Sequence, residues 1–263
     1  MAGDKTYLLS SLTRGLEVIR AFGPAPPSMS VSEVARATGL TRPTARRILL
    51  TLVEAGYAEL KGRQFSLKPR ILELGYSYIS SLGWHSVAQS CLREITLQTT
   101  ASANIAMLDG EEIIYILRQS AQSGPLPSFD IAIGSRIPAH IHAMGRVLIA
   151  NLPPEQRDRY IRDADIKAYT SHTVTDRTAL AAILKTVSAE GWAVVANEQG
   201  EGLCSLALPI FDADGAVVAA IGIGWITTDQ SLESVTRSLM PYLRKARDEI
   251  SSFSRMHGGI MAK

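Results

Sequence analysis

Cysteine is nearly missing from this chain: Cys91 and Cys204 are the only two in 263 residues, and no motif spacing links them. A disulfide framework has no material here, and a reduced, cytoplasmic compartment is expected. Long apolar runs are missing too. The longest, around AVVAAIGIGWI, falls far short of the roughly 20 residues a bilayer span needs, and its Gly and β-branched content suits a buried strand. No membrane association is expected. The N-terminus has neither the basic start nor the apolar stretch of a secretory signal. Low-complexity tracts and internal repeats are absent. So are Gly-rich phosphate loops, nucleophile elbows and paired carboxylates, so nothing nominates a reaction. Neither an enzyme activity nor a cofactor is expected.

What is present is concentrated near the N-terminus, in SVSEVARATGLTRPTARRILLTLVEAGY from Ser30 to Tyr57. Ser30 or Ser32 can cap a first helix, with Glu33 in its first turn at the positive end of the dipole. Val31, Val34 and Ala35 give that helix one apolar face. Gly39 can end it with a positive φ, and Leu40 plugs the angle to a second helix. Thr41 caps the second helix, and Pro43 falls in its first turn, where a missing N–H costs nothing. Ile48, Leu49, Leu52 and Val53 form its buried stripe. Arg42, Thr44, Arg46 and Arg47 lie off that stripe toward the N-terminal half. A recognition helix reads bases from that end, Arg pairing with guanine O6 and N7 and Thr meeting the thymine methyl.

The flanking segments complete a winged helix. SLTRGLEVIRAF before it is another amphipathic helix, followed by the Pro-rich loop GPAPPSM. YAELKGRQFSL after it alternates around Gly62 as a β-hairpin, with Lys61 and Arg63 at the tip facing phosphate. The expected DNA contacts are Ser32, Thr41, Arg42, Thr44, Arg46, Arg47, Lys61 and Arg63. Charge separates this region from a mere solvated helical face. Residues 1–70 carry eleven Lys and Arg against five Asp and Glu, a net of +6, whereas the remainder holds sixteen against twenty, a net of −4. Concentrated positive charge is what releases counterions from a phosphate backbone.

A length of 263 residues favours two domains, each large enough to bury a core. LKPRILELGYSYISS, from Leu67 to Ser81, reads as a connecting helix, able to transmit rotation where a Gly/Ser linker could not. Beyond it, Ser86 to Thr99 is helical, and SANIAMLDGEEIIYILRQ gives two strands around the hairpin signal Asp109-Gly110. FDIAI is a further short strand. Met144 to Leu152 is a helix closed by Pro153 and Pro154, and Asp176 to Glu190 a helix opened by its Asp cap. GWAVVANEQ, GLCSLALPIFD and GAVVAAIGIGW are strands, and Ser231 to Phe253 is a closing helix. The class is α+β, built on an antiparallel sheet flanked by helices.

These segments, in this order, resemble the IclR family of transcriptional regulators over nearly the full length. The residues that carry the resemblance are SLTRGLEVIRAF, TRPTARRILLTLVEAGY, LKPRILELG, GSRIPAHIHAMGRVLIANLP, NEQGEGL and LALPIFDADGAVVAAIGIG. AMGRVLIA with HTVTD downstream is similar to the Pca and Pob branch, which governs protocatechuate and 4-hydroxybenzoate breakdown. The resemblance implies a GAF-like effector domain that binds a small organic acid, aromatic or of the β-ketoadipate type, and alters the grip on operator DNA. It places His142, Ala143, Met144 and Gly145 at the pocket edge, with Ser205 pointing inward from a central strand and Gly222 on the neighbouring one. Glu198 opens the loop that closes over the site. Gly222 and Gly224 stand where the family often has small polar residues, which is expected to leave room for an aromatic ring. The expected division is residues 1–68 for the winged helix, 69–83 for the linker helix, 84–257 for the effector domain and 258–263 for a tail.

The stretch from Pro138 to Arg146 also offers a helix N-terminus whose free amides can hold an anion. Other residues carry plainer expectations. His140 and His142 form an HxH pair that can hold zinc, but without a third ligand nearby a structural or surface role is expected and no metal site. Arg136 and Arg146 are expected on the solvated surface, and Arg118 ends a strand facing either way. Cys204 is expected as a small buried hydrophobe, and Met107 and Tyr115 as sheet core. Two other functions stand beside a ligand-responsive regulator: an enzyme fused to a DNA-binding domain, and a nucleoid-type protein, which would not need the acidic second domain. One winged helix reads few base pairs, so the expected partners are double-stranded operator DNA and a second copy of the chain. Leu12, Leu16 and Ile19 offer a dimer face, and the resemblance allows pairs of dimers.

Overall fold

The computed structural model describes residues 8–23, 26–121, 131–227 and 231–256. The chain divides into two compact units, Met1–Tyr78 and Ile79–Lys263.

The first unit contains α1 (Ser10–Arg20), β1 (Ser28–Met29), α2 (Val31–Thr38), α3 (Arg42–Glu54), β2 (Ala58–Lys61) and β3 (Gln64–Leu67). Local chemistry sets each boundary. Ser30 caps α2 in a reciprocal capping box, its hydroxyl accepting from the Glu33 amide while the Glu33 carboxylate accepts from the Ser30 amide at 2.7 Å. Gly39 ends α2 in the left-handed region at φ 68°, and Thr41 caps α3 by accepting from the Thr44 amide. Ser32 sits inside the first turn of α2 and leaves the capping to Ser30. Val18, Met29, Val34, Ala45, Leu49 and Phe65 close the core. β2 and β3 form the expected hairpin, turning at Gly62 with φ 63°. Ser28 and Met29, at the end of the Pro-rich loop, add a third strand by pairing with Ser66 and Phe65.

A connecting helix, α4 (Leu72–Ser81), follows a short 3-10 turn at Pro69–Ile71. The second unit then runs α5 (His85–Gln98), β4 (Ser102–Asp109), β5 (Glu112–Gln119), β6 (Arg136–Pro138), α6 (Ala143–Ala150), α7 (Pro154–Asp163), α8 (Arg177–Glu190), β7 (Ala193–Ala196), β8 (Leu203–Phe211), β9 (Val217–Ile226) and α9 (Leu232–Met256). Its six strands form one antiparallel sheet in the order β6-β5-β4-β9-β8-β7. Two expectations shift. FDIAI falls partly outside the described residues, and its described part, residues 131–133, is not a strand. The edge strand begins after a turn at Gly134, φ 89°, and ends at Pro138, an edge position where a missing N–H is tolerated. Pro154 does not only close α6: it also opens α7, a helix absent from the sequence reading, as the first-turn proline.

Strand alternation gives the sheet one bulky face and one small face. Ile105, Leu206, Leu208, Ile210, Ile221, Ile223 and Trp225 pack with α5 and α9. The opposite face presents Ser102, Asn104, Ala106, Ser205, Ala207, Ala220, Gly222 and Gly224, in register across β4, β9 and β8. Onto this shallow face lies α6, every residue of which is buried. The approach is close enough that a Cβ on Gly222 would stand 2.8 Å from Met144 Cγ, and one on Gly145 would stand 2.0 Å from the Ala139 carbonyl oxygen. The room expected at Gly222 is therefore already filled by Met144.

A helix buried all round has no solvated side for a charge, so Arg146 is not on the surface as its sequence context suggested. It is 3 % exposed and paired with Glu198, Nη2 to Oε2 at 2.6 Å. Its Nε donates to the His140 carbonyl at 2.9 Å, and Glu198 Oε2 also accepts from the Val174 amide at 3.0 Å. Removing one member of such a pair strands the other in a low-dielectric interior.

Thermal and denaturant unfolding test both features. Glu198→Ala is expected to cost about 3–5 kcal/mol, against about 0–1 kcal/mol for Lys245→Ala, which breaks an exposed pair with Glu94. Equal costs would mean that the buried pair is not what holds α6. Gly145→Ala meets backbone at 2.0 Å and should destabilise more than Gly222→Ala, which meets Met144 Cγ at 2.8 Å and the Leu206 carbonyl oxygen at 3.1 Å and overpacks by about 1–3 kcal/mol.

Candidate functional site

Two places in the molecule carry chemistry, one in each unit. In the first, α3 turns Ala45 and Leu49 into the core, which leaves Arg42, Arg46 and Arg47 exposed on the outer side, with Thr41 at the cap. Thr44 is half-buried, its hydroxyl 2.9 Å from that of Thr41. Among the described residues, Arg42, Arg46, Arg47 and Arg63 have no carboxylate partner within ion-pair distance. Lys61, at the hairpin, does: Glu59 lies 2.7 Å away. Four unpaired guanidinium groups on a recognition-type helix and a hairpin tip are an anion-seeking surface. Ser32 is half-buried in α2.

In the second unit a cavity of about 70 Å³ opens against the small face of the sheet. A single water needs roughly 10–15 Å³ by this measure, so the space takes several waters or one small organic molecule. Its floor is Ser102, Asn104, Ser205 and Gly224. Its walls include Ile141 and His142 from the approach to α6, Tyr115 and Arg118 from β5, Gln199 from the loop after β7 and Leu203 from the start of β8.

A β-bulge brings Tyr115 and Arg118 together. Residues three apart on a strand face opposite ways. Here Ile105 pairs with Leu117 but Ala106 pairs with Tyr115, so Ile116 is an extra residue and the alternation resets. Ile116 and Leu117 both join the core on the bulky face, and Tyr115 and Arg118 both reach the cavity. Arg118 Nη1 donates to Asn104 Oδ1 at 3.4 Å, and no carboxylate pairs with it among the described residues. The direction left open for Arg118 is thus settled by the bulge, and Tyr115 is at once sheet core and cavity wall.

Of the residues that the sequence resemblance placed here, His142 and Ser205 line the cavity. The Ala143 amide donates to Ser205 Oγ at 3.3 Å, tying the helix start to the floor. Met144 and Gly145 are buried within α6 and Gly222 lies beneath Met144. Glu198 faces Arg146, while its neighbour Gln199 faces the cavity. Asn197, at φ 63°, makes the turn that sends the two side chains apart, and its Oδ1 accepts from the Gly202 amide at 2.7 Å. Thr170 and Thr173 hold the same loop, donating to the Asn197 and Glu198 carbonyls at 2.6 and 2.8 Å. Ser102, Asn104 and Gln199 escaped the sequence reading. Their signal is the run of small and polar residues on alternate positions of SANIAM and GLCSLAL, which marks a face too shallow to be filled by side chains alone.

The two histidines point to different partners. His140 Nε2 lies 3.3 Å from the Lys167 carbonyl oxygen, and burial lowers its pKa. His142 Nδ1 accepts from the Met144 amide at 3.2 Å and its Nε2 lies 3.1 Å from the Tyr115 hydroxyl. Burial, with help from the Arg146 charge, pushes the His142 pKa down to about 4. No group of three or more His, Cys, Asp or Glu side chains converges among the described residues. Cys204 is buried, as expected of a small hydrophobe, at the cavity's margin. Arg136 sits on the exposed edge strand and pairs with Asp109 and Glu112. No described helix is long and apolar enough to cross a membrane.

The two units each match a known domain. Residues 11–62 match the IclR helix-turn-helix domain, and residues 76–252 match the C-terminal domain of the bacterial transcriptional regulator IclR. The chain is similar to the Pca regulon regulatory protein of Pseudomonas putida, with 38 % identity over 248 residues, covering 94 % of this chain and 84 % of that protein. In structure it is similar to a Rhodococcus sp. RHA1 protein described as a transcriptional regulator, with a TM-score of 0.84 and 41 % identity across 95 % of this chain and 100 % of that one. It also resembles the inducer-binding domain of the Acinetobacter PobR transcription factor, a double mutant in complex with 3-hydroxybenzoic acid. That match has a TM-score of 0.59 and 26 % identity, covering 63 % of this chain and 96 % of the domain. With both domains matched in sequence order, and 38 % identity to a regulator along most of its length, this chain belongs to the IclR family of bacterial transcriptional regulators.

Proposed function

We propose that this regulator grips operator DNA through α3 and the β2–β3 hairpin, and that a small organic acid bound in the sheet cavity changes that grip. The acid belongs to aromatic catabolism, protocatechuate, 4-hydroxybenzoate or the β-ketoadipate type. The observation that carries the reading is Arg118, a cation without a carboxylate partner among the described residues, at a cavity the size of one small molecule. An acid's carboxylate supplies the missing charge, the apolar side chains of Ile131, Ile141 and Leu203 take its body, and Ser102, Asn104 and Ser205 offer hydrogen bonds. The similar Pca regulator and the 3-hydroxybenzoic acid complex support the class of acid.

The DNA-reading part comprises residues 1–68 and the sensor 84–257, joined through 69–83. Arg42, Thr44, Arg46 and Arg47 enter the major groove, and Thr41, Lys61 and Arg63 meet phosphate. The protein acts as a homodimer on a pseudo-palindrome, since one recognition helix reads a short half-site. Leu12 and Leu16 on α1, with Leu8 and Leu9 just before it, support a dimer face there, being 62 %, 50 %, 69 % and 71 % exposed.

Operator binding, measured by fluorescence anisotropy on fragments upstream of the protein's own operon, tests both halves. Arg46→Ala should cost about 1–3 kcal/mol on the cognate site and relax sequence preference, while Arg63→Ala should weaken all DNA alike and lower the salt slope by about one. Equal losses for Arg46→Ala on cognate and random DNA would remove α3 from the groove. Titration with protocatechuate, 4-hydroxybenzoate and 3-oxoadipate should shift operator affinity for at least one acid. No shift with any of them would retire the aromatic-acid reading.

A further inference from the structure

The cavity wall contains a hydrogen-bond relay whose direction is fixed by the backbone of α6. His142 caps that helix with its own ring, Nδ1 accepting from the Met144 amide at 3.2 Å. A ring nitrogen that accepts carries no proton, so the hydrogen-bond pattern assigns the neutral ring's proton to Nε2. Nε2 lies 3.1 Å from the Tyr115 hydroxyl oxygen, and so donates to it. The phenol oxygen is thereby engaged as an acceptor, and its own proton has to point elsewhere. No other described group bonds that hydroxyl, and Tyr115 lines the cavity.

Nothing near the relay reverses it. The ring stays neutral because burial and the Arg146 charge hold its pKa near about 4. Glu198, the acid that pairs with Arg146, is bound to that guanidinium and to the Val174 amide and makes no hydrogen bond to His142. Burial holds the Tyr115 phenol protonated, well above the ordinary tyrosine range, with the Arg118 charge acting against it. The hydroxyl of this cavity-lining residue therefore keeps its proton and has it free to donate at any physiological pH. Tyr115 and Arg118 pair with Ala106 and Asn104, two residues apart on β4, so their backbones stand about 7 Å from one another along the strand. Both side chains line the one cavity, so a single small molecule there can meet both.

Resting on the organic-acid reading above, we propose that Tyr115 is the specificity-determining donor of the cavity. It binds a second oxygen of the effector, remote from the carboxylate at Arg118, and His142 is the positioning residue that aims it. The cavity so built selects acids carrying a carboxylate and a separate acceptor oxygen over monocarboxylates of the same shape.

Calorimetric titration of the full-length protein tests this with matched probes. These are 4-hydroxybenzoate and protocatechuate against benzoate, and 3-oxoadipate against hexanoate. The wild type should bind at least one oxygen-bearing acid tenfold or more tighter than its partner. Tyr115→Phe should weaken that acid by about 10- to 100-fold while changing the partner less than about threefold, because only the former loses a bond. Arg118→Gln should weaken both members of the pair in parallel. Wild-type affinity should stay flat from pH 5.5 to 8, since His142 does not titrate there. Equal losses for both members on Tyr115→Phe, no loss for either, or a wild type without preference would each overturn the proposal, as would affinity that tracks a group titrating between pH 6 and 7. If Tyr115→Phe does not fold, the wild-type preference and the pH profile still decide. Failure of every probe to bind the wild type would instead bring down the organic-acid reading itself, and this proposal with it.

Discussion

The close seating of α6 on the small face of the sheet is the constraint from which the rest of the sensor unit follows. Ala207, Ala220 and Gly222 lower the surface beneath it, and Gly145 lets its first turn pass the Ala139 carbonyl. A helix drawn in that far is enclosed on all sides. Its one charge, Arg146, must then be satisfied internally, and the acid that satisfies it arrives on the loop after β7. The same loop turns Gln199 to the cavity. One packing decision thus fixes the helix start, the ion pair and a wall of the site.

Beyond the N-terminal end of α6 the same shallow face continues as Ser102, Asn104, Ser205 and Gly224, and there no described helix fills it. The cavity is the part of the small face that α6 does not cover. The bulge at Ile116 complements it by aiming two polar side chains, from positions that would otherwise diverge, into the uncovered space. Bulges of this sort cost a ladder hydrogen bond, and they persist at sites where re-aiming a side chain has a use. Three polar groups at the site are braced: Arg118 by Asn104, Ser205 by the Ala143 amide, Tyr115 by His142.

Much of this was readable from the sequence, and what escaped it did so for physical reasons. The winged helix was readable nearly in full because its signals are local: Ser30 with Glu33, Gly39, Thr41 with Pro43, and Gly62 each act within a few residues of themselves. The charge split was equally plain, being a matter of counting. Arg146 misled because a lone arginine in AMGRVLIA looks solvated until its distant partner, Glu198, is known. Strand-face parity hid Tyr115 and Arg118, since a one-residue bulge leaves no mark in the local pattern. Gly222 suggested room for a ligand, whereas a glycine beneath a helix serves close approach instead. The Pro153-Pro154 pair was readable as a stop but also served as a start.

A regulator of this kind responds only to the extent that its ligand binds two conformations unequally. The floor of the cavity cannot supply much of that difference, because its four residues sit on β4, β8 and β9 within a continuous hydrogen-bonded sheet. Nor can the start of α6, held by Ser205 below and by its own close packing. The differential contacts must come from walls that are not part of the ladder, and Gln199 stands on such a wall. Its loop is fastened at defined points: the Glu198 carboxylate to Arg146 and the Val174 amide, and the Asn197 and Glu198 carbonyls to Thr170 and Thr173. Each fastening is a hydrogen bond or ion pair that is either made or broken, which suits a switch between two discrete arrangements better than a graded deformation. The acid proposed above, if anchored at Arg118 and touching Gln199, would gain or lose contacts as that loop is fastened or released. Its binding energy would then act on the fastening rather than on the sheet.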